Sequence, residues 1–171
     1  MRRSPLVALV AACILMGCGY SLVGRGTNLP ESVRSVHLQP LENLTARSQV
    51  EQILARAIAN ELVTRQRFTL ASEAAQADAE LAGAVVGFAV NPVTFDSEGR
   101  ATEYEIAITA RMSFRQLDPE KVLWANDRYL FKDSYTVEAS EASFFDRETV
   151  AIEQVAQKFA QTIVTDLLEG F

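Results

Sequence analysis

Cysteine is almost missing from this 171-residue chain: there are two, Cys13 and Cys18, and histidine occurs once, as His37. So small a stock leaves no Cys/His cluster with zinc-ligand spacing and no second histidine to work with the first. Basic residues are outnumbered, 16 to 22, for a formal charge of −6. A nucleic-acid binder carries the opposite balance. No internal repeat and no low-complexity tract occurs. The one long apolar run, Leu6 to Met16, falls short of the ~20 residues that cross a bilayer as a helix.

What is present begins with that run. Arg2 and Arg3 precede it and the small Gly17 follows, so residues 1–17 read as an export signal. Leu15, Gly17 and Cys18 then stand where the lipobox of bacterial lipoproteins places them, and the stretch resembles a lipobox with Met16 as a less usual middle residue. That resemblance implies cleavage between Gly17 and Cys18, a diacylglyceryl group on the Cys18 thiol and acylation of the new amino terminus. The alternative is an ordinary secretory signal with a free cysteine near the cut. The cysteine count favours the lipid, because Cys13 leaves with the signal and the mature chain has no partner for a disulfide. At ~0.8 kcal/mol per buried CH₂, two or three acyl chains hold a domain on a membrane where one would not. Gly19, not aspartate, follows Cys18. Under the enterobacterial sorting rule, which comes with the lipoprotein resemblance, this points to the outer membrane.

Removing residues 1–17 takes Arg2 and Arg3 away, leaving 14 basic against 22 acidic residues and a formal charge of −8. The rest has the size of one domain. Residues 18–32, rich in Gly, Ser and turn formers, read as a lipidated tether, and 33–171 as a single domain. Within it, 33–38 form a short strand ended by Pro40. A helix starts near Ser48, which has capping-box spacing to Glu51, with Val50, Ile53, Leu54, Ala57, Ile58 and Leu62 as its apolar stripe. After the polar, alanine-rich 71–79 come three extended segments. In 80–95, Val86, Phe88 and Val90 alternate, and Asp96 to Gly99 makes a turn. In 103–115, Tyr104, Ile106, Ile108, Ala110, Met112 and Phe114 share one face, and Glu103, Glu105, Thr109, Arg111, Ser113 and Arg115 the other. A turn near Pro119 leads into 121–135, whose irregular alternation suggests a bulge; it sets Phe114 opposite Trp124 and Ile108 opposite Leu130. A long helix starting within 141–149 closes the chain, with Ile152, Val155, Ala156, Phe159, Ile163 and Leu167 on its apolar face.

The order β-α-β-β-β-α, with one apolar stripe per helix, predicts an α/β (α+β) two-layer sandwich: two helices on one face of a four-stranded mixed sheet, the other face polar and open. Taken together, the lipobox with "CGYSLVGRG", a strand ending in "LQPLENLT" with its Pro-x-x-Asn turn at Pro40–Asn43, three strands and a closing helix resemble the LptE family. The resemblance implies a lipopolysaccharide-assembly lipoprotein of the outer membrane, lodged as a plug in the large β-barrel LptD. In that role it helps the barrel assemble and helps lipopolysaccharide reach the outer leaflet. A polar sheet face suits the polar lumen of such a barrel.

Catalysis has little support. His37 lies in a strand, no free cysteine remains for it to activate, and Asp96, Glu98, Asp118 and Glu120 fall in turns, where acids serve turn geometry. No metal site or cofactor is expected beyond the covalent lipid. Contact with the barrel or with anionic lipopolysaccharide would need a local basic cluster against the negative total. Arg111 and Arg115 on the wet strand face, with Arg100 and Lys121 by the turns, are the candidates. The plainer reading makes them cross-strand partners of acids, Arg111 facing Asp127. An accessory outer-membrane lipoprotein of another envelope transport complex is the alternative function.

Overall fold

A computed structural model describes residues 29–137 and 141–169, with only the backbone described for 141–146. Its strands are β1 (Ser35–Leu38), β2 (Glu42–Asn43), β3 (Thr69–Ala71), β4 (Ala79–Phe95), β5 (Ala101–Gln116) and β6 (Lys121–Thr136). The helices are α1 (Val50–Thr64), between β2 and β3, and α2 (Glu141–Glu169), with a short 3₁₀ turn at Ala74–Gln76. The mixed α+β class is as expected, but among the described residues the sheet has six strands where the sequence suggested four. The added β2 and β3 are two and three residues long, too short for any periodicity to announce them. Sheet order is β3-β1-β4-β5-β6, with β2 beside β4. The β1, β2 and β3 pairings are parallel, and β4, β5 and β6 form an antiparallel meander.

The core lies between the helices and one sheet face. The even-numbered positions Ile106, Ile108, Ala110, Met112 and Phe114 of β5 are buried, as their alternation predicted. Val50, Leu54, Ile58 and Leu62 of α1 meet them with Ile152, Val155, Ala156, Phe159, Ile163 and Leu167 of α2. Leu29 and Val33 are buried in the same cluster, so packing begins ahead of residue 33. Gly83 is required opposite Met112: a Cβ there would lie 2.3 Å from the Met112 Sδ and 2.6 Å from the Arg111 carbonyl oxygen.

Bulges account for the other departures. Val86 is an extra residue in β4, between the pairs Val85–Ala110 and Gly87–Thr109. It therefore points outward, and Phe88 and Val90 share the core side with Leu81 and Val85. In β6 the pairing shifts between Tyr129 and Asn126 and again between Trp124 and Val122. Phe114 faces Trp124 as predicted, but the first shift moves Phe131, not Leu130, opposite Ile108. The expected capping box is also absent. Gln49, at φ 69°, precedes α1 with no side-chain cap, and the Glu51 carboxylate instead accepts a 2.7 Å hydrogen bond from Asn43 Nδ2.

Long-range polar links fasten α2 to β6. The Tyr129 hydroxyl donates to Asp166, and Lys158 Nζ donates to Asp133 at 2.7 Å. Burial, then the Asp166 acceptor, pushes the Tyr129 hydroxyl well above its ordinary range. Glu148, buried, pairs with Arg47 Nε at 3.1 Å and ties the loop before α1 to α2. Burial and the neighbouring Glu148 carboxylate push Tyr135 up to about 12.

Candidate functional site

The helices leave the second face of β4, β5 and β6 bare. Its cross-strand rows follow from the register. At one end His37, Glu80, Arg115 and Val122 line up; then Ala82, Ser113 and Ala125; then Glu42, Ala84 and Arg111 against the Asp127–Arg128 bulge. Further along come Gly87, Thr109 and Leu130, then Ala89, Ala107 and Lys132, then Asn91, Glu105 and Ser134. The centre is thus paved with Ala, Gly and Thr, and the exposed Val86 and Leu130 rise beside it. The polar face read from β5 alone becomes, once its neighbours are placed, a surface of small side chains interrupted by paired charges, Arg111–Glu42 and Lys132–Glu105 among them.

The candidate cations are distributed over this face and its hairpin turns. Arg115 bonds Glu80 at 3.0 Å and Glu120 at 2.7 Å, and these two carboxylates hold its guanidinium above its ordinary range. Arg111 meets Glu42 at 3.5 Å, not Asp127, because the β6 bulge puts two residues across from it. Arg100 lies in the β4–β5 turn, 2.9 Å from both Asp96 and Glu98; Gly99, at φ 79°, closes that turn. Lys121 sits at the other end of the sheet, after the turn that contains a cis Asp118–Pro119 peptide, with no ion pair among the described residues. Arg111 and Arg115 share a face, but Arg100 and Lys121 stand at opposite ends of β5, so the four form no single basic cluster. The reading of these arginines as partners of acids holds for the three that pair.

Beside Arg111 is a cavity of about 300 Å³, floored by Ala82, Gly83 and Ser113 and rimmed by Gln39, Glu42 and Asp127. Its wall is the segment after β1, held by Asn43. The Asn43 carboxamide donates to the Arg47 carbonyl at 2.8 Å and to Glu51, and accepts from the Thr45 N–H at 2.9 Å and the Thr45 hydroxyl at 2.7 Å. The Pro-x-x-Asn signal thus marks a hub whose partners the sequence could not name. His37 Nδ1 lies 3.2 Å from the Ala71 carbonyl, a structural contact between β1 and β3. Cys18 and Gly17, the predicted lipid-attachment and cleavage residues, lie outside the described residues, as do the signal and residues 18–28 of the tether.

This fold, two helices covering one face of a mixed sheet, is shared with solved structures of several bacterial lipoproteins. Rare lipoprotein B from Shewanella oneidensis aligns with a TM-score of 0.56 at 12% identity, over 78% of this chain and 93% of that one. Lipoprotein B from Nitrosomonas europaea aligns at 0.54 and 15%, over 88% and 90%. A minor lipoprotein from Acinetobacter baumannii aligns at 0.53 and 14%, over 81% and 92%. At such identities the likeness speaks for the fold alone. No curated protein matches the chain. The family comes from the sequence itself: residues 33–167 match the profile described as LptE, lipopolysaccharide-assembly, and the chain belongs to that family of lipopolysaccharide-assembly lipoproteins.

Proposed function

We propose that the protein is an outer-membrane lipoprotein, anchored through lipid on Cys18, that lodges in a large LptD-like β-barrel. There it supports barrel assembly and the passage of lipopolysaccharide to the outer leaflet, without catalysis of its own. The observation that carries this reading is the family match over 33–167, spanning every strand and nearly all of α2. The bare sheet face supports it: the small side chains of its Ala- and Gly-lined rows let a protein wall approach closely, and the paired charges around them suit a polar lumen. No helix among the described residues is long and apolar enough to cross a membrane. The lipid therefore supplies the anchor in this proposal.

The test is affinity purification of the full lipoprotein from detergent-solubilised envelopes, with identification of the partner by mass spectrometry. A large outer-membrane barrel in stoichiometric amount is expected; an inner-membrane transporter in its place refutes the reading. Cys18→Ala, examined in cells depleted of the barrel so that protein contact cannot mask the loss, is expected to leave the membrane fraction. Retention there would refute the anchor.

A further inference from the structure

The two long edges of the sheet are treated differently. Along β6 stand Lys121, Asp127, Arg128, Lys132 and Asp133, charges that discourage a foreign strand. In β4 no charged residue occurs from Leu81 to Phe95. Its outer side is covered by β1 at residues 79–81 and by β2 at Ala84 and Val85, and there the cover stops. The Leu44 N–H makes the last bond, 2.9 Å to the Val85 carbonyl, before the Asn43 hub turns the chain away.

Beyond that point, among the described residues, β4 is paired with β5 alone. Val137 donates to the Thr102 carbonyl, which fixes the ladder's phase: the even-numbered β5 residues direct their backbone groups to β6. The residues of β4 facing Ile108 and Ile106, namely Phe88 and Val90, then direct theirs outward. Among the described residues nothing bonds them. The next outward position is Pro92, which has no N–H to offer and ends the run. The Val86 bulge bounds its other end.

We propose that this free edge of β4, over Gly87–Asn91, accepts a short uncharged strand of a protein partner by backbone pairing. The partner's identity as the barrel rests on the function proposed above. The lane has room for about five residues, ~17 Å. A second copy does not fit. Antiparallel pairing centred on Ala89 would carry its residues 93–95 into the lane that β2 and Leu44 occupy. A strand that stops short of Leu44 meets no such obstacle. Phe88 and Val90 on one side, and Gly87 and Ala89 on the other, call for an apolar segment without charge.

The experiment is residue-resolved amide exchange on the full lipoprotein in detergent, alone and in complex with the co-purified barrel, together with Val90→Pro. Proline there removes an outward N–H and no bond of the β4–β5 ladder. The Phe88 and Val90 amides are expected to exchange fast in the lone protein and about tenfold slower in the complex. Val90→Pro also trims a partly buried side chain, so it is expected to stay folded with a melting temperature lowered by a few degrees, and to recover about tenfold less barrel. Equal exchange with and without barrel overturns the proposal, and wild-type exchange decides the matter even if the proline variant fails to fold. Amides already slow in the lone protein would assign the lane to the chain's own segment, and a concentration-dependent dimer dissolved by Val90→Pro would assign it to a second copy; either overturns it. If wild type captures no barrel, the functional reading falls and this proposal with it. A barrel captured with Phe88 and Val90 unprotected sinks the edge alone.

Discussion

Phe114 and Arg111 lie three residues apart on β5 and on opposite faces, so truncating each to alanine separates the core side from the bare side. Phe114 is fully buried, paired with Leu81 and Trp124 across the sheet, its ring 6.1 Å from that of Phe68. Removing a buried phenylalanine side chain costs about 3–5 kcal/mol, including the cavity left behind. Against a domain stability of about 5–15 kcal/mol this is a large share. At this chain length it should lower Tm by about 9–15 °C, and the soluble yield with it. Arg111 has a half-exposed side chain and one long contact, 3.5 Å to Glu42. Its truncation should move Tm by no more than about 2 °C. Thermal unfolding followed by circular dichroism measures both. A Phe114→Ala protein melting within about 3 °C of wild type would refute the core assignment, and a collapse of Arg111→Ala would show that the bare face is a second core.

The Asn43 hub and Asp78 give two more tests. Asn43→Ala removes two donated and two accepted bonds and should cost about 1–3 kcal/mol in a denaturant titration. Asn43→Asp should be no better, since it sets a carboxylate against Glu51. Asp78 Oδ2 accepts from the Arg34 N–H at 3.0 Å, the Ser35 N–H at 2.8 Å and the Ser35 hydroxyl at 2.8 Å. These bonds, the Arg34 N–H first, hold its carboxyl below the ordinary 3.8. A carboxylate so depressed stabilises the fold above the ordinary pKa and loses that contribution as pH falls through its folded value. The stability gap between wild type and Asp78→Asn, measured by urea titration, should therefore be full near pH 6 and close below about pH 4. A gap independent of pH would mean the bonds do not depend on its charge.

Much of the architecture is legible where one face of an element is apolar over several turns or pleats. Both helices and β5 are of that kind, and the spacing picks out most of their buried residues; β6 is not, for Leu130, which the spacing sets opposite Ile108, is 49% exposed. The misreadings arise where one residue changes the phase. Val86 continues the alternation of Phe88 and Val90 in the sequence, but as a bulge it stands with neither, and it is 37% exposed. Ser48 and Glu51 have the spacing of a capping box, yet Asn43 takes Glu51 first, from outside the helix. The ties from Arg47 to Glu148 and from Tyr129 to Asp166 join residues 101 and 37 positions apart, a distance over which no local pattern operates. At the candidate site, Arg111 and Arg115 are correctly placed on the wet face, but their acidic partners depend on β2, β4 and the turn.

Those partners also bear on which ligand the bare face suits. An anionic phosphate approaching Arg115 competes with Glu80 and Glu120, and one approaching Arg111 competes with Glu42, so neither is offered a free cation. A protein surface meets no such competition at the centre of the face, where Ala82, Gly87, Ala89 and Ala107 carry little bulk and no charge. Asn43 links this surface to the fold. Its carboxamide binds Glu51 at the start of α1 and turns the chain off the sheet after Leu44, so one side chain both steadies the first helix and ends the cover over β4. Had β2 run on beside Gly87 to Asn91, the edge would be sealed and α1 would have to start later. The open lane along β4 is in this sense a consequence of how the first helix begins.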